Sequence, residues 1–207
     1  MIIAVDGPTA SGKGTIAKAL AAYFGLPHLD TGLLYRAVGW QIDARGADPD
    51  DPAAALAASA FPDALLAEEG LRSERIGGLA SRVSVHSAVR AALFERQRVF
   101  ATQPRGAVLD GRDIGTVIAP EAQVKLFVTA SVAARALRRW QEMADRGETR
   151  TLAALEDELR LRDERDSTRA TAPLLPAPDA LLLDTSELDR EAAIAAAITL
   201  AGEARKR

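Results

Sequence analysis

The first fifteen residues constrain this chain more than any other stretch. Ile2 to Val5 is a short apolar run rich in β-branched residues, the pattern of a buried strand, and Asp6 ends it. Gly7, four further residues, Gly12 and Lys13 then match the spacing G-x-x-x-x-G-K, and a helix-like segment from Thr15 to Ala22 follows at once. Strand, glycine-rich loop and helix in that order build a cradle for phosphate. Backbone N–H groups converge on the anion, the helix N-terminus adds partial positive charge, and Lys13 adds a full one. Glycines are needed where a Cβ would obstruct the backbone angles or the approach of the phosphate. A glycine-rich turn with a chance lysine would account for the spacing, but not for the strand before it and the helix after it. The stretch therefore reads as a nucleoside triphosphate site.

At 207 residues the chain suits one α/β domain with a small insertion, and is long enough to bury a sizeable core. A formal net charge of −3 argues against nucleic acid or a membrane surface as partner. With no cysteine, disulfides, thiolate metal sites and cysteine nucleophiles are excluded. The N-terminus lacks the basic region of a signal peptide, and the apolar stretch near Ala192 to Ala201 is too short to span a bilayer. The cytoplasm is the expected location, and nothing calls for an obligate partner, so a monomer is expected. Lysine occurs only at positions 13, 18, 125 and 206, which leaves arginine to carry most of the positive charge. A genome favouring Arg and Ala codons explains that bias, so only individually placed arginines count towards function.

Four more apolar runs, Leu26 to Asp30, Ala107 to Asp110, Val124 to Thr129 and Ala180 to Asp184, alternate with helical segments. The alternation predicts a parallel five-stranded sheet with helices on both faces and ligands at the carboxyl ends of the strands. Asp6, Asp30, Asp110 and Thr129 would share one rim. Thr31 is a plausible N-cap for a helix carrying Tyr35 and Arg36. Near the phosphate loop Arg36 could receive the phosphate of a second substrate; local sequence alone makes it a solvated helix arginine. Residues 46 to 82 mix a loop, an alanine-rich helix and a charged stretch without clean period, the signature of an insertion or helical flap. A helix follows from about Ser87 to Thr102.

Asp110-Gly111-Arg112-Asp113-Ile114-Gly115 packs two carboxylates and an arginine between glycines, a poor plain turn and a good lining for a polar pocket. The strand ending in Asp110 has the form of the carboxylate element that sits near magnesium and its waters in phosphate-loop proteins. Arg135, Arg138 and Arg139 share a helix face before a turn at Arg146-Gly147-Glu148. Arg162, Asp166 and Arg169 share another, on a helix from about Leu152 to Thr168 that otherwise reads as a solvated face with ion pairs such as Glu158 with Arg162. His28 and His86 stand apart from each other and from any metal-ligand spacing, and read as structural.

Four segments in this order carry a resemblance over almost the full length: Asp6 to Thr15, Leu29 to Gly32 with Tyr35-Arg36, Asp110 to Val117, and Arg162 to Arg169 leading into Ala172-Pro173-Leu174. Together they resemble the bacterial cytidylate kinases, a branch of the nucleoside monophosphate kinases. The resemblance implies that ATP phosphorylates CMP and dCMP to their diphosphates, on a phosphate-loop kinase core with an acceptor-side insertion at about 40–85 and a mobile lid at about 132–168. By motif, Gly7, Pro8, Thr9, Ala10, Ser11, Gly12, Lys13, Gly14 and Thr15 would hold ATP. Thr31, Arg36, Arg112 and Arg169 would grip the acceptor phosphate, with Tyr35 as a wall. Ser81, Arg90 and Asp113 would read cytosine, and Arg162 and Asp166 would face the sugar. Arg135 and Arg139 would cover the transferring group.

Two departures stand out, the first from the usual phosphate-loop pattern, where the Gly-Lys-Gly-Thr ending itself resembles the nucleoside monophosphate kinases, and the second from the family. The Ser or Thr that usually follows the lysine and binds magnesium is Gly14 here, the hydroxyl arriving at Thr15, so Mg²⁺ is expected to be held through phosphates and water near Asp110. The family's longer insertion, with its small β-sheet, is abbreviated at Asp63 to Gly78. The nearest rivals are kinases for UMP, AMP, dTMP or shikimate. From another class, a regulatory nucleotide-binding module would leave the acceptor-side arginines without a purpose.

Overall fold

The computed structural model describes residues 1–145, 147 and 149–205. Arg146 and Glu148, two residues of the turn expected after the lid's first helix, lie outside the described residues. Five parallel strands, β1 (Ile2–Asp6), β2 (His28–Asp30), β3 (Ala107–Gly111), β4 (Val124–Thr129) and β5 (Leu181–Asp184), form one sheet in the order β2-β3-β1-β4-β5. The expected parallel five-stranded sheet is the one found.

Period-2 alternation places opposite residues of β1 on opposite faces. Ile3 and Val5 pack against α1 (Lys13–Phe24) and α8 (Arg190–Ala204) through Ile16, Leu20 and Ala197. Ile2 and Ala4 face the other way, towards Ala101 of α5 (Ser87–Ala101) and Ile114 and Ile118 of a single π-turn over Ile114–Ile118. Covering both faces with helices explains why the strands read as apolar runs rather than as alternating ones.

Two boundaries differ from the apolar runs for a reason in hydrogen bonding. The Leu26 N–H donates to Ala21 O as Gly25, at φ 65°, closes α1, and Pro27 has no N–H. β2 therefore begins only at His28. At the other edge the Ala180 N–H turns back to Ala177 O, so β5 begins at Leu181.

Two small helical bodies flank the sheet, each with its own core. α2 (Gly32–Ala44), α3 (Pro52–Ala58) and α4 (Glu74–Val83) share Leu34, Val38, Ile42, Ala55, Phe61, Ala80 and Val83 with α5. The abbreviated stretch before α4 forms two short 3₁₀ turns, Asp63–Ala67 and Glu69–Arg72, and holds no strand among its described residues. α6 (Val132–Ala144) and α7 (Leu152–Thr168) make a hairpin around Ala136, Met143, Leu155 and Leu159.

The phosphate loop leaves β1 pressed against the backbone of β4. Gly7 has φ 151°, and a Cβ there would stand 2.0 Å from Val128 O. β1 lies between β3 and β4, which the chain reaches by separate crossovers, so the crevice at its carboxyl end is the ligand position expected of an open α/β sheet.

Candidate active site at the carboxyl edge of the sheet

The loop after β1 and the first turn of α1 put Lys13 at the floor of a cleft of about 340 Å³. Its Nζ donates to Pro8 O at 3.1 Å, folding the side chain back over the loop. Burial pushes the Lys13 ammonium down to about 7; Arg112 and Arg162 act in the same direction, while Asp110 and Asp30 oppose them. Within the loop Ala10 takes the left-handed φ of 60° and Gly12 a φ of 85°.

The loop after β3 is pinned from below. Asp6, buried, accepts the N–H groups of Ile114 and Gly115, both at 2.8 Å, and burial raises its carboxyl to about 7 against those two bonds. Above that anchor stand Arg112 and Asp113. Arg112 donates from Nε to Asp166 Oδ2 at 2.8 Å and from Nη2 to Thr9 Oγ1 at 3.1 Å, so one side chain joins α7 to the phosphate loop. Burial opposes charge on Asp166, but Arg112 and Arg162 outweigh it and hold that carboxyl below the usual range. Asp113 forms a buried ion pair with Arg90, whose guanidinium lies 5.4 Å from the centre of the Tyr35 ring.

Thr31 occupies the N-cap position of α2 but does not cap it. Its hydroxyl donates to the Asp110 carbonyl at 2.8 Å, which ties the start of α2 to the end of β3. Arg36 is not the solvated helix arginine of its local sequence: it lines the cleft and donates from Nη1 to Leu71 O at 2.7 Å and Ser73 O at 2.9 Å. Gly77 makes room, because a Cβ there would meet Arg36 Nη2 at 2.8 Å. Ser81, buried on α4, accepts from Arg165 Nη1 at 3.0 Å.

The ion-paired solvent face expected of α7 is corrected at Arg162. Glu158 pairs with Arg150, and Arg162 turns into the cleft, where burial, with Arg112 next, lowers its guanidinium to about 9. Arg162 Nε and Arg169 Nη2 are buried without a hydrogen-bond partner among the described residues. Arg139 also lines the cleft and pairs with Glu74. Arg135, expected over the transferring group, is not among the residues that line the cleft. Its guanidinium is taken up by Ala130 O, by Thr9 O and by the carboxylate of Asp163, because α6 enters just behind the phosphate loop.

Eight cationic side chains face six carboxylates around this cleft, in a chain whose net charge is negative. Such a surplus suits an anionic ligand. Among the described residues no group of three or more His, Asp or Glu could cage a metal. A cation carried in on phosphates does fit: Asp110 Oδ2 points at Gly14, 3.6 Å from where its Cβ would be, and offers an oxygen to a hydrated ion.

The cytidylate kinase family model matches residues 3–203. The chain belongs to the cytidylate kinase family. It is 57% identical over 206 residues to a cytidylate kinase of Xanthobacter autotrophicus, covering 100% of this chain and 99% of that protein. To a cytidylate kinase of Caulobacter sp. strain K31 it is 54% identical, covering 100% and 96%. Among solved structures, an uncharacterized protein from Eubacterium ventriosum shares the fold, with a TM-score of 0.57 and 12% identity over 100% of this chain and 99% of that one. As a cytidylate kinase family member the chain is a phosphoryl-transferring enzyme. Sequence reasoning missed several groups at its cleft: Arg72, Glu74, Ser84 and Glu142 line it, and His28 touches Asp110 beneath it. For Glu74 the available signal was Ser73, a capping residue whose hydroxyl accepts the Ile76 N–H and opens α4.

Proposed function

We propose that this enzyme transfers the γ-phosphoryl group of ATP to CMP and dCMP, giving CDP and dCDP. The observation that carries the reading is the pair of unsatisfied arginine N–H groups, Arg162 Nε and Arg169 Nη2, in a cleft with excess positive charge. Buried polar groups are nearly always hydrogen-bonded, so cationic donors without such a bond, Arg169 Nη2 having only Asp113 Oδ1 at 3.8 Å, mark where a ligand's oxygens belong.

In this reading Gly7 to Thr15 hold the triphosphate, with Lys13 against its β- and γ-phosphates. Thr31, Arg36, Arg112 and Arg169 hold the acceptor phosphate, and Arg162 and Asp166 face the sugar. The Asp113–Arg90 pair presents an acceptor beside a donor, with Ser81 close by and Tyr35 beneath Arg90. Cytosine offers the complement, an amine donor at C4 beside the N3 acceptor, whereas uracil reverses both.

Mg²⁺, when bound, neutralises charge on the β- and γ-phosphates. Asp110 would hold it through water. The chain's own residues align two phosphates and exclude water, which is most of what phosphoryl transfer requires. The attacking group is already a phosphate oxygen, so no general base is assigned. The helical body at about 40–85 would close over the acceptor and the hairpin at about 132–168 over ATP, each moving on its own small core. Arg139 would then leave Glu74 for the transferring group, while Arg135 braces the phosphate loop from behind. Among the described residues no helix is long and apolar enough to cross a membrane. We place the enzyme in the cytoplasm as a monomer acting on free nucleotides, with neither nucleic acid nor membrane as partner.

The test is ADP formation from ATP and Mg²⁺ with CMP, dCMP, UMP, AMP, dTMP or no acceptor, with the product identified. Strong stimulation by CMP and dCMP is expected. Preference for another nucleotide would overturn the base-reading residues, and turnover indifferent to every acceptor would overturn the transferase reading.

A further inference from the structure

β2 opens on His28, whose ring reaches past its register partner Val108 to Asp110, two residues further along β3. Nε2 lies 2.7 Å from Asp110 Oδ1, and both side chains are largely shielded from solvent. No other described residue hydrogen-bonds that carboxylate. The second oxygen, Oδ2, is the one directed at Gly14 on the phosphate loop.

In the usual loop the residue at Gly14 is a serine or threonine whose hydroxyl binds Mg²⁺ alongside the strand-end carboxylate. Here that hydroxyl is missing and its place faces Asp110 Oδ2 directly. A carboxylate with no hydrogen bond from the loop side can rotate, and a rotating carboxylate is a poor partner for an ion that demands near-ideal octahedral geometry. We propose that His28 is a positioning residue: it engages Asp110 Oδ1, fixes the carboxylate plane, and so presents Oδ2 to the hydrated Mg²⁺ that arrives with ATP. The inference rests on the reading of Asp110 as the carboxylate on the magnesium side. A histidine that merely joined β2 to β3 would have no effect on the metal.

The experiment is calorimetric binding of ATP to acceptor-free enzyme, with Mg²⁺ and with EDTA, for wild type, His28→Phe, His28→Gln, His28→Asn and Asp110→Asn. His28→Phe should bind metal-free ATP as wild type does and lose about tenfold in affinity for MgATP, the usual cost of losing a partner that orients a metal-side group. His28→Gln, whose amide nitrogen reaches the place of Nε2, should recover most of the loss. His28→Asn, polar but too short, should behave as His28→Phe and serves in its stead if the aromatic variant folds poorly. An unchanged MgATP affinity in both His28→Phe and His28→Asn, or an equal loss with and without Mg²⁺, would overturn the proposal. Asp110→Asn separates the two layers. If it abolishes the advantage of MgATP while the His28 variants keep it, only the role of His28 is lost. If it leaves that advantage intact, the Asp110 reading beneath is lost as well.

Discussion

Binding of ATP should draw a proton from solution, and Lys13 should be the group that takes it. In the ligand-free cleft burial lowers its ammonium from 10.5 to about 7, with Arg112 adding to the effect, so near neutral pH the side chain is about half charged. A triphosphate laid against it reverses the balance, since an adjacent anion favours the charged form as strongly as burial opposes it. If the bound-state value returns to the ordinary lysine range, uptake is about 0.1 proton per ATP at pH 6, about 0.5 at pH 7 and about 0.9 at pH 8. The assay is calorimetry of MgATP binding in paired buffers of different ionisation enthalpy, where the slope of observed heat against buffer enthalpy gives the proton count. Lys13→Met supplies the control, because its slope contains every contribution except that of Lys13. The same variant should transfer phosphoryl at least about 10²-fold more slowly while remaining folded. In the free protein the linkage has the opposite consequence. Burying the Lys13 ammonium is a cost to folding that is fully present below about pH 7, and stability should rise as pH goes from there towards 10.5 because the folded lysine loses its proton first. A wild-type slope near zero at pH 8, or equal slopes for wild type and Lys13→Met, would refute the reasoning and mean that the cradle is already fully charged before nucleotide arrives.

Asp113→Asn should leave MgATP binding nearly intact but reduce the preference for CMP over UMP by about 10- to 100-fold, the worth of one charged hydrogen bond; an unchanged acceptor profile in kcat/KM would count against the base-reading role. Because Arg90 then loses its buried partner, denaturant unfolding of that variant should show a loss of about 3–5 kcal/mol. Arg135→Ala and Asp163→Ala should be strongly non-additive in urea unfolding, with a coupling of about 1–3 kcal/mol, since each removes the other's partner; additive losses would mean the pair is incidental. Gly7→Ala should abolish ATP binding or folding outright, because the new Cβ meets the Val128 carbonyl in the fixed backbone of β4; a well-folded, ATP-binding Gly7→Ala protein would show that the loop does not need that approach.

The sheet was legible because strand signals are local. Apolar runs such as Ile2 to Val5 and Ala107 to Leu109 stand out without any distant partner in view, and Asp6 or Asp110 follows each at once. What local sequence misplaces are ends decided by a hydrogen bond to something else: Leu26 belongs to the apolar run, yet its N–H belongs to the cap of α1. The arginines divide along the same line. Arg36 looks solvated until α4 is folded over it, with Gly77 leaving the room, and no window around residue 36 contains that fact. Arg135 and Arg139 are one helical turn apart and alike in sequence, but Thr9 O and Asp163 take the first while Glu74 takes the second. His28 has no metal-ligand spacing to mark it, since its contact is with a carboxylate that lies 82 residues further along the chain.

The cleft is held together by cationic side chains that bridge its elements. Arg112 bridges α7 to the phosphate loop, Arg90 holds Asp113, and Arg139 on the hairpin holds Glu74 on the insertion. These pairs differ in what substrate would do to them. In the proposed reading Arg90 and Asp113 form the face that reads a base, so a correct base would match the pair as it stands, and a wrong one would have to break a buried ion pair to enter. Arg139 and Glu74 join two bodies with separate cores, so a phosphate can replace Glu74 without disturbing either core. On that reading the buried pair would serve discrimination and the exchangeable pair would serve closure. The two donors without a hydrogen bond, Arg162 Nε and Arg169 Nη2, belong to residues lining the same cleft, the second 3.8 Å from Asp113 Oδ1. In the proposed mechanism that is where the acceptor's phosphate and sugar must sit for the γ-phosphoryl group to be in line.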